Sequence, residues 1–147
     1  MPGLVVDASV AGGWFIGDES SPYTEAALAV VADTGAHAPG LWSYEIASML
    51  AVAARRGRAT AQDVSEALRL LSALPVAIDA PHAMSALPRL TRLAQDYGLT
   101  AYDAAYLDLA LRTGSELATR DAGLRRAAEQ AGVPLLALSL IHISRCR

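Results

Sequence analysis

The segment GLVVDASV, residues 3–10, decides how this chain is read. Leu4, Val5 and Val6 form a short apolar run without polar alternation, the pattern of a strand buried on both faces. The run stops on a carboxylate, Asp7, and a short helical stretch follows over roughly 8–16, weakened by Gly12 and Gly13.

The alternation of strand and helix continues outward from that start. Pro22 sits where a first helical turn tolerates it, and an Ala-rich helix runs to Thr34 and closes on Gly35. AHAP (36–39) is the second strand, and a helix from Leu41 to Arg56 carries Ile46, Met49, Leu50 and Ala53 on one stripe. Thr60 opens a further helix in capping-box style with Asp63, turning Val64, Ala67, Leu68 and Leu71 inward. VAID (76–79) is the third strand. Residues 81–97 have a helical pattern that Pro88 is expected to break into a turn and a helix. A helix over 101–113 ends at Gly114, SELAT (115–119) is a fourth strand, 122–131 a last helix and VPLLA (133–137) a fifth strand. The class is therefore α/β, with a central, mostly parallel sheet of about five short strands covered by helices on both faces. Sites in such folds form beyond the carboxyl ends of the strands, where Asp7 and Asp121 both stand.

At 147 residues and 53% hydrophobic content the chain fits one domain with a real core. Its apolar runs are too short for the roughly 20 residues of a membrane span, and MPGLVVDASV has no signal-peptide pattern. The single cysteine, Cys146, makes no internal disulfide and fits a reducing cytoplasm. Scattered histidines and one cysteine exclude zinc-ligand spacing. The formal charge of −3 argues against a protein that coats nucleic acid. Every basic residue is arginine, so chemistry that needs a lysine is excluded. The last ten residues, LSLIHISRCR (138–147), resemble a translated sequencing adaptor and are read as a non-native tail, leaving a domain of residues 1–137.

Four carboxylates stand out, and each has a bland alternative. Asp7 and Asp121 could cap the helices that follow them, Asp103 could close a box with Thr100, and Glu45 could favour the positive end of its helix dipole. Helical spacing weighs against the bland readings. Asp103 shares a stripe with Leu107, Ala110 and Leu111, and Glu45 stands four before Met49 at the border of an apolar face. An inward carboxylate must be neutralised, paired or bound to metal. No lysine exists to pair it, although Arg120 is a conceivable partner. Acids meeting at one sheet edge repel unless a divalent cation sits among them, and oxygen donors alone suit Mg²⁺ or Mn²⁺.

VVDASV (5–10), Trp14-Phe15, LWSYEIASML (41–50), LTAYDAAYLDLA (99–110) and LATRDAGLRRAA (117–128) resemble the successive motifs of PIN-domain toxins of the VapC kind, in order and spacing, over residues 3–137. That resemblance implies a three-layer α/β/α fold and a metal-dependent endoribonuclease with Asp7, Glu45, Asp103 and Asp121 as the metal-binding acids. It implies supporting hydroxyls at Ser9 and Thr119, Mg²⁺ or Mn²⁺ as cofactor, RNA as substrate, a homodimer, and a small antitoxin that blocks the site. Arg120, Arg125 and Arg126 are candidates for phosphate contact. Tyr44 and Tyr102, each next to a proposed ligand, are candidates for supporting contacts, while Trp14, Phe15, Trp42 and Tyr106 read as core or dimer residues. Asp108, about 140° around the helix from Asp103 and four before Arg112, reads as half of a surface pair.

Three other readings compete. A phosphoryl-accepting domain also ends its first strand on Asp, but it leans on a lysine absent here. A nucleotide-binding module lacks its glycine-rich turn and Walker lysine. A catalytically silent PIN-like binding domain would not need all four acids.

Overall fold

The computed structural model of the chain describes residues 3–80 and 83–138; apart from Leu138, the segment read as an adaptor-like tail lies outside them. β1 (Leu4–Val6), β2 (Ala36–Pro39), β3 (Val76–Asp79) and β4 (Glu116–Ala118) form one parallel sheet in the order β3-β2-β1-β4. Strand order reverses at β1, so the crevice between β1 and β4 is a topological switch point. Leu4, Val5 and Val6 pair with Glu116, Leu117 and Ala118, which places Asp7 and the chain after Ala118 at the same edge. The Asp7 amide, donating 2.9 Å to the Ala118 carbonyl, extends that ladder by one rung.

Among the described residues seven α-helices surround the sheet: α1 (Ala8–Phe15), α2 (Pro22–Thr34), α3 (Leu41–Arg55), α4 (Ala61–Ala73), α5 (Ala83–Tyr97), α6 (Ala101–Thr113) and α7 (Ala122–Ala131). α6 packs on β1, β2 and β4 with α5 and α7 beside it, while α1 packs against α2, α3 and α4. Ser21 and Thr60 begin α2 and α4 with reciprocal capping boxes, each satisfying two otherwise orphaned amides. Val5, Val6, Val10, Tyr106, Leu107, Leu117 and Leu124 form the centre of the core. Gly12 and Gly13 do more than weaken α1. A Cβ on Gly13 would lie 2.6 Å from the Thr24 side chain, and one on Gly12 would strike the Met49 methyl, so the pair lets α1 nestle against α2 and α3.

Several expectations are corrected. The sheet has four strands among the described residues. VPLLA contributes only an isolated bridge from Leu135 to Leu117, held by Leu117 donating to the Pro134 carbonyl and Leu136 donating to Leu117. Pro134 has no amide to extend a ladder. Pro88 lies inside a continuous α5; the carbonyl deprived of its amide partner belongs to Met84, which is exposed and open to water. Leu68 and Leu111, expected inward, are exposed at the margins of their helical stripes.

Candidate active site

The four acids arrive from four elements. Asp7 follows β1 at the N-cap of α1, Glu45 is in the second turn of α3, Asp103 is in the first turn of α6, and Asp121 caps α7 just beyond β4. Asp7 is buried, Glu45 and Asp103 are half-buried, and Asp121 is exposed. The carboxylate of Asp7 makes no capping bond. Its Oδ2 instead accepts from Ser9 Oγ at 2.8 Å and from Thr119 Oγ1 at 2.7 Å, so both expected hydroxyls reach the first acid. Thr119 Oγ1 also accepts from the Asp121 amide at 3.0 Å, linking the first and fourth acids through one hydroxyl. Asp121 does cap its helix, since Oδ2 accepts from the Leu124 amide at 2.8 Å. Thr100 Oγ1 caps α6 by accepting from the Asp103 amide, but the Asp103 carboxylate returns no bond and the box stays open.

Electrostatics show that these groups sense one another. Burial pushes the Glu45 carboxyl above its ordinary range, the Tyr106 hydroxyl opposes that rise, and the charges of Asp7 and Asp103 add to it. Asp103 is raised by burial, then by the charges of Asp121 and Asp7. Among the described residues no arginine forms an ion pair with any of the four. Arg120 is no partner for them: its Nε and Nη2 donate to the Ser9 carbonyl at 3.0 and 2.6 Å, and its Nη1 donates to the Glu19 carbonyl at 2.9 Å. Arg125 donates to the Thr119 carbonyl and lies 5.6 Å from the centre of the Tyr23 ring. Arg126 is exposed.

The donor set is all carboxylate oxygen, which fits a hard divalent cation such as Mg²⁺ or Mn²⁺ and not zinc. The acids stand open: among the described residues no three acidic, histidine or cysteine side chains are closed on one point at ligand spacing. Sequence reasoning missed Tyr106. Fully buried in α6, it donates a 2.7 Å hydrogen bond to Glu45 Oε1. Its spacing of three after Asp103, one turn along the same face, was the available signal. Tyr44 and Tyr102 are 78% and 69% exposed and make no supporting contact with the acids, because a sequence neighbour on a helix lies about 100° away. Asp108 does pair with Arg112 at 2.8 Å, but it is buried rather than superficial, because Arg89 from α5 also covers it at 3.1 Å.

A parallel sheet with uncompensated acids at its switch point defines a class of α/β proteins built to gather carboxylates beside the first strand. Within that class the chain belongs to the PIN domain family, whose model matches residues 4–130. It is 34% identical over 118 residues to a protein named Ribonuclease VapC3 from Pyrobaculum aerophilum, a match covering 80% of this chain and 88% of that one. The solved structure of PAE2754, also from Pyrobaculum aerophilum, superposes with a TM-score of 0.69 at 25% identity, covering 99% of this chain and 91% of the other.

Proposed function

We propose that the protein is a metal-dependent endoribonuclease that hydrolyses RNA phosphodiester bonds, and that it acts as the toxin of a toxin–antitoxin pair. The observation that carries the reading is the set of four acids without an arginine partner, two of which, Glu45 and Asp103, are raised by burial and by the charges of the others. Such a set is unfavourable by itself and becomes favourable around a cation. Similarity to a protein named as a ribonuclease supports the substrate class.

In this reading Asp7, Glu45, Asp103 and Asp121 hold Mg²⁺ or Mn²⁺. The bound ion lowers the pKa of water and neutralises charge on the scissile phosphate and leaving oxygen. Ser9 and Thr119 fix the orientation of Asp7, and Thr119 couples it to the start of α7. Arg120 holds the loop before Asp121 against α1 through the Ser9 carbonyl, which makes it a positioning residue rather than a phosphate contact. Arg125 supports the same loop through Thr119. Arg126, exposed one helical turn beyond the loop, is left as the candidate for the phosphate backbone. A homodimer, a cognate antitoxin that covers the acids and a cytoplasmic location complete the proposal. No helix of the described residues is long and apolar enough to cross a membrane.

The test is cleavage of RNA with Mg²⁺ or Mn²⁺, with EDTA, and after Asp7→Asn or Asp103→Asn. Chelation should abolish cleavage, and each substitution should lower it by more than the roughly 100-fold that changes around a metal's ligands reach. Full activity in the doubly substituted protein would end the assignment.

A further inference from the structure

Three of the four acids share a pattern. Asp7 commits Oδ2 to Ser9 and Thr119, Asp121 commits Oδ2 to the Leu124 amide, and Glu45 commits Oε1 to Tyr106. In each case one oxygen is tethered to the protein and the other accepts no hydrogen bond from the described residues. The tether on Glu45 joins two helices, since Tyr106 on α6 is 61 residues away in the chain. It is also firm. Tyr106 is wholly buried and its ring is in the central core. One helix, α6, thus delivers both Asp103 and the hydroxyl that orients Glu45.

We infer that Tyr106 is a positioning residue that limits Glu45 to offering one oxygen to the cation, so that the site prefers a small octahedral ion over a larger one. The inference rests on the metal-dependent reading above. Carboxylates that present single oxygens suit the compact, near-ideal octahedron of Mg²⁺ or Mn²⁺. Ca²⁺ takes more oxygens and readily accepts both from one carboxylate. A phenol that occupies Oε1 denies Glu45 the two-oxygen mode. Hydrogen-bonded partners that orient a ligand in this way are commonly needed for full metal affinity.

Calorimetric titration of Mn²⁺ and Ca²⁺ into the full chain, the Tyr106→Phe variant and the Asp7→Asn variant tests this, with thermal melting as the check on folding. Tyr106→Phe should weaken Mn²⁺ binding by about 10-fold or more, within the 10–100-fold usual for such partners. It should weaken Ca²⁺ binding less, so the preference for Mn²⁺ narrows. A merely structural tyrosine would lower the melting temperature and leave the ratio of the two affinities alone; that outcome overturns the inference. Infrared difference spectra of the unaltered protein on Mg²⁺ addition give a measure that needs no variant. One-oxygen binding widens the separation of the two carboxylate stretches, and a narrowed separation overturns the inference. If the unaltered chain binds neither ion, or binds without dependence on Asp7, the metal-dependent reading itself has failed. Intact Asp7-dependent binding that ignores Tyr106→Phe sinks this inference alone.

Discussion

Two acidic groupings lie at the carboxyl ends of the same sheet, and the chain treats them in opposite ways. Beyond β3 and along α6, Asp79 and Asp108 are fully paired: Arg112 bridges the two at 2.8 Å each, and Arg89 adds a second guanidinium to Asp108. Around the ends of β1 and β4, Asp7, Glu45, Asp103 and Asp121 have no such partner among the described residues, and Arg120 beside them spends its donors on the Ser9 and Glu19 carbonyls and reaches the Glu19 carboxylate at 3.9 Å. Asp103 and Asp108 are five residues apart on one helix. The difference teaches that burial of a carboxylate does not mark a functional group; the missing counter-charge does. Asp108 is a structural clamp between α5, α6 and β3, whereas Asp103 belongs to a set held under repulsion.

The sharpest way to break this comparison is to neutralise one acid from each group. Asp103→Asn should remove more than about 100-fold of RNA cleavage without lowering the melting temperature in the absence of metal, because it relieves repulsion. Asp108→Ala should do the reverse. It leaves two guanidiniums without their shared partner and costs about 2 kcal/mol, less than a fully buried pair because both arginines keep contact with water. Folded Asp108→Ala protein should still cleave. Denaturant titration and a cleavage assay on the same preparations decide it, and a matching loss of activity in both variants would erase the distinction.

A smaller effect is expected from pH. Glu45 and Asp103 are raised above their ordinary values of 4.5 and 3.8, so the native state binds protons more tightly than the unfolded chain. Their contribution to stability is fully present below those ordinary values and is lost as pH rises through the raised ones. Metal-free protein should therefore melt at progressively lower temperature as pH climbs from about 4 through the raised range, and saturating Mg²⁺ should flatten that decline. Melts at several pH values, with and without the ion, check the sign. Smallest of all is Arg89→Met. Arg89 is the more exposed of the two guanidiniums on Asp108, and its loss should cost under about 1 kcal/mol, because Arg112 remains.

Much of this was legible before any coordinates. Pro22 and Gly35 mark the ends of α2, Thr60 and Asp63 mark the start of α4, and the apolar run at 4–6 marks the central strand, because each signal is local chemistry acting on local backbone. The set of four acids was legible as residues but not as geometry. What failed was whatever depends on a distant partner. Leu135 had strand composition but met only Leu117, and Leu68 and Leu111 had helical spacing but no neighbour to cover them. Asp108 looked superficial because Arg89 comes from another helix, and Tyr106 looked like plain core because Glu45 is on α3. Pairing within a helix can be counted on the fingers of the sequence; pairing between helices requires the fold.

The glycine pair in α1 has a consequence of its own. Gly13 is six residues beyond Asp7, about 9 Å along the helix axis, and the absent methyl there sets how closely α1 seats on Thr24. α1 itself starts beside the rung formed by the Asp7 amide and the Ala118 carbonyl. The side chains missing at 12 and 13 therefore work as a spacer gauge: they set how closely the helix that begins on Asp7 seats against α2 and α3.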